Sequence, residues 1–208
     1  YWEGMFWLKG SGTTLQPIVI DVYGGSDRPI IDGYGYQSCI LIYNDQHIQL
    51  NGLELVNSFS HLDPSGVVKK LFGFGGAANS WGSGKNVRFG IKVVATTRDL
   101  EGFSFDDLYI HHIYPTPEVV ENIHLGYGIK LETQSDTTAG LRNTISDASI
   151  THTTITETGH YGFWIKSVGL NGIDSVKNNQ ILVENCVFEF TGGSGFVPNK
   201  SQNVLVQN

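Results

Sequence analysis

Charge runs, long apolar stretches, helical periodicity and cysteine are all scarce in these 208 residues, and each scarcity closes off a class of protein. Charged residues make up 16% of the chain, the formal net charge is -7, and no basic run exceeds Lys69-Lys70. Neutralising nucleic-acid phosphates takes a basic surface, so no nucleic-acid partner is expected. No apolar stretch approaches the roughly 20 residues of a membrane span, and the amino terminus lacks a charged region followed by an apolar one. No membrane association is expected, and if the protein is secreted its signal has been removed. The two cysteines, Cys39 and Cys186, sit far apart in apolar strand contexts and are expected to be buried free thiols. Amphipathic helical spacing is confined to residues 117–122, too short for more than a turn, so a helix-rich fold is excluded.

What the chain does have is glycine, 26 residues of it, 12% aromatics, and many short Ile/Val/Thr/Tyr runs. Apolar and polar residues alternate in Ile48-Gln-Leu-Asn-Gly-Leu-Glu-Leu55 and Ile181-Leu-Val-Glu-Asn-Cys-Val-Phe-Glu-Phe190. The expectation is a single all-β domain over 1–208 with one sizeable core. Two loop excursions interrupt it, at about 58–85 and 132–143. The first carries Phe72-Gly-Phe-Gly-Gly76 and Trp81-Gly-Ser-Gly84 but no Gly-Lys-Ser/Thr to hold a phosphate, and is expected to lie over a groove.

Repetition specifies the architecture. Arg88-Phe-Gly-Ile-Lys92, Gly126-Tyr-Gly-Ile-Lys130, Gly162-Phe-Trp-Ile-Lys166 and Ser194-Gly-Phe-Val-Pro-Asn-Lys200 can be superposed, their lysines roughly 36 residues apart. Independently, Asn179-Gln-Ile-Leu-Val-Glu-Asn185 recurs as Gln202-Asn-Val-Leu-Val-Gln-Asn208. Ser149-Ile-Thr-His152, Tyr109-Ile-His-His112 and Gln49-Leu-Asn-Gly52 fit the same frame. That frame stacks Leu50, Ile110, Ile150, Val183 and Val206 in a core, and Gly52, His112, His152, Asn185 and Asn208 at a turn. Asn and Gly suit such turns because they tolerate the left-handed backbone. The chain is expected to wind as a β-solenoid. Apolar strand-like sequence at both ends, without a polar cap, points to a fragment or to ends covered by another chain.

Four segments then carry a family resemblance: Leu8-Lys-Gly-Ser-Gly-Thr13, Pro17-Ile-Val-Ile-Asp-Val-Tyr-Gly24, Arg28-Pro-Ile-Ile-Asp-Gly33 and His47-Ile-Gln-Leu-Asn-Gly-Leu-Glu-Leu-Val-Asn57. Together they resemble the opening coils of pectate-lyase-like right-handed parallel β-helix proteins. They are most similar to the carbohydrate-active branch from bacteria that degrade plant and algal polysaccharides. That branch includes fucosidase/xylanase-type glycoside hydrolases and several polysaccharide lyases. The resemblance covers almost the whole chain and implies the fold, a polysaccharide substrate and a secreted, periplasmic or cell-surface location. The motifs of alginate lyase, chondroitinase B and the polygalacturonase aspartate pair are not matched, so no catalytic residue is carried over.

Candidate site residues follow from period-two geometry. With Ile91, Ile129 and Ile165 inward, Lys92, Lys130 and Lys166 face outward as a cationic ladder on coils about 4.8 Å apart. Stacked like charges cost stability, which a carboxylated or sulfated glycan would relieve. Glu132 and Trp164 fall on the same face, the indole offering a plate for a sugar ring. His124 and His160 enter equivalent strands, and Glu157-Thr-Gly-His-Tyr161 gathers acid/base groups. Lys92, Lys130, Trp164 and His124 are the expected substrate contacts; His160, Tyr161, Glu132, Glu157 and Lys166 are the catalytic candidates. Glu132 with Glu157 suits hydrolysis. Histidine and tyrosine beside a cation suit β-elimination of a uronic acid. A noncatalytic glycan-binding solenoid is the remaining alternative. No cofactor is expected: His111, His112 and His152 lack a carboxylate or cysteine at ligand spacing, so metal coordination is set aside. Asp106-Asp107 is not a closed calcium loop, which leaves calcium a minor option, and strand capping is its expected role.

Overall fold

The computed structural model describes residues 1–25, 27–58, 87–115, 125–134, 143–167 and 177–208. His124, the 117–122 turn, and most of the two expected excursions lie outside the described residues. Among the described residues the chain is a right-handed parallel β-helix. Each coil gives one strand to each of three six-stranded parallel sheets. The first sheet stacks Trp2–Glu3, Ile30–Asp32, Glu54–Asn57, Tyr109–Ile113, Thr154–Thr158 and Val187–Thr191. The second stacks Phe6–Leu8, Ser38–Tyr43, Val87–Ala95, Leu125–Thr133, Tyr161–Ser167 and Phe196–Pro198. The third stacks Ile18–Ile20, Ile48–Asn51, Leu100–Asp106, Ile145–Thr151, Asn178–Glu184 and Ser201–Gln207. Among the described residues no helix is long and apolar enough to cross a membrane.

Each sheet turns a column of apolar side chains inward. Ile40, Ile91, Ile129 and Phe163 are in register on the second sheet and fully buried. Leu50, Phe105, Ile150 and Val183 do the same on the third, and Leu55, Ile110 and Ile155 on the first. Each such side chain contributes about 1.5–3 kcal/mol by leaving water, and the columns merge into one core cluster. Cys39 and Cys186 are free, the first buried and the second half-buried.

The turn ladder exists, with one change of occupant. Gly52, Asp107, His152 and Asn185 bridge the third sheet to the first, with φ of 65°, 51°, 48° and 51°. Each donates its backbone N–H to the following coil. Asp107 takes the place expected for His112, and Phe105 the place expected for Ile110, which belongs to the first sheet. The cause is local: Phe105 and Ile110 are each followed by two polar residues, Asp106-Asp107 and His111-His112, and only a two-residue corner separates Leu100–Asp106 from Tyr109–Ile113. Asp106 accordingly closes its strand instead of opening the next, its carboxylate accepting from Thr151 Oγ1 and meeting His152 Nδ1 at 2.8 Å.

A glycine column fixes the second sheet. A Cβ on Gly90 would lie 2.7 Å from the Gly128 carbonyl oxygen, one on Gly128 2.6 Å from that of Gly162, and one on Gly162 2.6 Å from that of Gly195. Backbone occupies the space a side chain would need. Gly128→Ala is therefore expected to lose about 3 kcal/mol in chemical denaturation. Gly25→Ala, whose Cβ meets nothing nearer than 3.9 Å, is expected to stay within about 0.5 kcal/mol of the parent. Equal effects of the two would remove the column's role.

Candidate functional site

The outer face of the second sheet is built in three rows. Phe89, Tyr127 and Tyr161 are register partners, as are Lys92, Lys130 and Trp164, and then Val94, Glu132 and Lys166. The expected ladder therefore holds for Lys92 and Lys130 but not beyond. Lys166 is displaced by two residues and pairs with Glu132, while Trp164 stands beside Lys130. Lys200 follows the Phe196–Pro198 strand and is not in the ladder. The repeating unit is aromatic-Gly-apolar, Phe89-Gly-Ile, Tyr127-Gly-Ile and Tyr161-Gly-Phe, and aligning Ile165-Lys166 on Ile129-Lys130 slips past it. Lys130, Lys166, Glu132 and Trp164 do share one face, as period two requires.

Glu132 is the centre of charge. Its Oε2 is 2.9 Å from Lys130 Nζ and 3.8 Å from Lys92 Nζ, and its Oε1 is 3.9 Å from Lys166 Nζ. Lys92 Nζ also donates to Gln37 Oε1 at 3.0 Å. Aromatic rings supply the rest of the cation surface: Lys130 Nζ lies 4.5 Å from the Trp164 ring centroid, and Lys92 Nζ 4.7 Å from that of Phe89. The repulsion of stacked lysines is thus offset inside the protein, without a bound glycan. Burial raises and three ammonium groups lower the Glu132 pKa, and the cations win, holding it below the usual carboxylate range. Burial lowers Lys92 to about 8, with Glu132 pulling the other way, and lowers Lys130 in the same sense.

Accessibility divides the cluster. The side chains of Lys92, Lys130 and Glu132 are 8–10% exposed and that of Lys166 is 38% exposed. Lys166 Nζ lies 5.3 Å from the ring centroid of Trp164, which belongs to an aromatic patch. Tyr127 stacks on Phe89 and on Trp164, with centroids 5.3 and 5.1 Å apart, and Tyr161 meets Trp164 edge-on at 5.6 Å. His160 packs on Tyr161 at 3.7 Å and on Tyr127 at 5.5 Å, and burial lowers its pKa, favouring the neutral imidazole. His160, Tyr161, Trp164 and Lys166 thus form a half-buried rim around a shielded Lys–Glu–Lys centre.

Glu157 is not part of it. It lies on the first sheet, where its Oε2 is 3.1 Å from His112 Nδ1. The strand order that carries Glu132 and Glu157 to different sheets removes the carboxylate pair expected from their residue type. Sequence reasoning also missed Tyr127 and Phe89, although the aromatic-Gly-apolar repeat marks both. Among the described residues, two polar grooves also open on the third sheet. The larger, about 640 Å³, is lined by Asp21, Asn51, Asp106, Asp107, Thr151 and His152 among others. Its acids are engaged, Asp106 with Thr151 and His152 and Asp107 with Arg28, and it has no aromatic plate. For a sugar ligand the second sheet is the better-equipped face.

No protein-family model and no curated protein matches the chain. Among solved structures it is similar to the GH136 lacto-N-biosidase of Eubacterium ramulus. The native crystal form is 18% identical over 88% of this chain, with a TM-score of 0.58; the selenomethionine form is 15% identical over 99%, with a TM-score of 0.50. The chain spans 34% and 49% of those two chains. At this identity the likeness establishes a shared β-helical fold.

Removing the central carboxylate leaves buried ammonium groups uncompensated, so Glu132→Gln is expected to lose about 3–5 kcal/mol of stability. Lys166→Ala, at the exposed rim, is expected to lose less than about 1 kcal/mol. Between about 8 and 10.5, an unfolded Lys92 binds a proton that the folded one does not, so its contribution to stability rises with pH across that window. Denaturation at pH 7.5 and 10 is expected to show a larger gain in the parent than in Lys92→Met, which keeps only the contribution of Lys130. Identical pH responses would mean that Lys92 is not desolvated.

Proposed function

We propose that this chain is the glycan-contacting section of a carbohydrate-active β-helix protein that cleaves glycosidic bonds in an acidic polysaccharide. The observation that carries this reading is the rim of Lys166, Trp164, Tyr161 and His160 around the Lys92–Glu132–Lys130 centre. Trp164 and Tyr161 offer faces for a sugar ring, and Lys166 is the accessible cation for its carboxylate or sulfate. Three ammonium groups against one carboxylate leave a positive excess, and its accessible part lies at Lys166. A polymeric substrate of this kind fits a secreted, periplasmic or cell-surface protein.

The first mode we propose is hydrolysis, in keeping with the glycosidase named among the similar structures. In it, Glu132, held ionised, serves as base or nucleophile. The general acid would then be His160 or Tyr161, because Glu157 stands on another sheet. A second mode, β-elimination, is favoured by one feature: no second carboxylate accompanies Glu132 among the described residues, whereas the His160 imidazole and the Tyr161 phenol pack on the Tyr127 and Trp164 rings that the lysine ammonium groups approach. There His160 takes the C5 proton, Tyr161 protonates the leaving oxygen, and Lys166 offsets the uronate charge that otherwise opposes proton removal.

Incubation with acidic plant and algal polysaccharides, following absorbance near about 235 nm together with reducing ends, tests both. Reducing ends alone indicate hydrolysis; a parallel rise in absorbance indicates elimination. His160→Ala is expected to lower kcat about 100-fold, and Lys166→Ala to raise KM about 10-fold with the fold intact. Unchanged turnover in both variants would overturn the assignment of this rim. Binding without cleavage would reduce it to a noncatalytic glycan module.

A further inference from the structure

The first sheet carries a donor cluster that the glycan face does not use. Glu54, the pair His111 and His112, and Glu157 come from three successive strands of that sheet, Glu54–Asn57, Tyr109–Ile113 and Thr154–Thr158. In an undisturbed strand consecutive side chains leave opposite faces, which would part His111 from His112. Here His112 and Glu157 have φ of 52° and 51°, and the pairing with Glu54–Asn57 shifts register between His111 and Ile113. The bulge brings the adjacent imidazoles together, their Nδ1 atoms 2.7 Å apart. His112 Nδ1 is in turn 3.1 Å from Glu157 Oε2.

The far side of His111 settles which nitrogen is free. Its Nε2 lies 3.1 Å from Glu54 Oε1, so the proton belongs on Nε2 and is donated to the carboxylate. That leaves the Nδ1 lone pair facing His112, which in turn meets Glu157. A carboxylate behind an imidazole is how metal-binding histidines are oriented and made more basic. Tyr109 stacks on the His111 ring at 4.3 Å and holds its plane. The orienting pair is shielded, with His111 and Glu54 side chains 14% and 23% exposed, while His112 and Glu157 are 49% and 39% exposed. An ion has a route in, and positions remain for water.

The geometry points to a binding site for a divalent transition ion of the zinc class, ligated by His111 Nδ1, His112 Nδ1 and Glu157 Oε2 and oriented by Glu54. One donor atom from each of the three residues lies within 4.8 Å of the other two. Two imidazoles and one carboxylate suit zinc and its first-row neighbours, whereas calcium takes six or more oxygens. Binding displaces the proton shared between the two Nδ1 atoms and ties two adjacent coils together.

Titration of the full chain with Zn²⁺ by calorimetry, with Co²⁺ absorption as a second readout, tests the site. The parent is expected to bind about one equivalent, with Co²⁺ bands in the visible. His112→Ala and Glu157→Gln are each expected to abolish saturable binding, and Glu54→Gln to weaken it about 10- to 100-fold. His152→Ala, which removes the imidazole paired with Asp106 on the third sheet, is expected to leave the affinity unchanged. Circular dichroism of each variant separates loss of ligand from loss of fold. No saturable binding by the parent, or equal affinity in parent and folded His112→Ala, would show the cluster to be a hydrogen-bond chain only and overturn the site.

Discussion

The outer face of the second sheet depends on a steric exclusion in a column of four glycines, the first three of which leave room for the carbonyl of the next one. Gly90, Gly128, Gly162 and Gly195 lie one above another, and the ladder of paired residues steps over each of the first three. The step breaks the two-residue alternation. Phe89, Tyr127 and Tyr161, just before the glycines, therefore reach the same outer face as Lys92, Lys130 and Trp164, three positions later. Without the glycines the aromatic row and the cationic row would lie on opposite faces, and Lys92 could not sit 4.7 Å from the Phe89 ring.

That exclusion also explains what was legible in the sequence. The β-solenoid, the inward isoleucines and the shared outward face of Lys92, Lys130, Glu132 and Trp164 all follow from period two, which needs only local spacing. The cross-coil register does not, because it is set by whichever residue has the least steric choice. At Tyr161-Gly-Phe-Trp that residue is Gly162, and it overrules the more conspicuous Ile-Lys pair. Likewise Asp107 instead of His112 occupies the turn ladder: both positions accept a left-handed backbone, and only the hydrogen bonds to the neighbouring coils distinguish them. Burial was illegible for another reason. Three outward-facing residues, Lys92, Lys130 and Glu132, are shielded, and alternation says which way a side chain points but nothing of what lies over it.

Electrostatics on this face is a contest between repulsion of in-register lysines and their shared attraction to Glu132. Lys92 and Lys130 occupy adjacent coils, a spacing at which like charges are costly unless an anion intervenes. One does, at 2.9 and 3.8 Å, and the rings of Phe89 and Trp164 take part of the remaining positive potential. The centre is therefore satisfied and shielded. The surplus charge is expressed at Lys166, whose 3.9 Å contact to Glu132 is the loosest of the three and whose side chain is the most exposed. This ordering makes Lys92 and Lys130 the scaffold that holds Glu132, and Lys166 the cation most open to a ligand.

Left-handed residues set the first sheet apart from the other two. A β-helix face offers every second residue of a strand, so neighbours in sequence cannot ordinarily act together. A left-handed residue lifts that restriction, and such residues run in columns: His47, Gly102, Asp147, Gln180 and Asn203; Gly52, Asp107, His152 and Asn185; His112, Glu157 and Phe190. In the first column His47 meets Glu101 at 3.6 Å, and in the second His152 meets Asp106 at 2.8 Å, one imidazole to one carboxylate each. The third column sets His112 against Glu157 on the next coil and, through the bulge, against His111 in its own strand. Two imidazoles then face one carboxylate while a second carboxylate, Glu54, holds the inner ring from behind. A lone histidine–acid pair is satisfied by one shared proton. A triad of donors backed by an orienting acid has more lone pairs than protons to share, which is the condition under which a cation becomes the better partner.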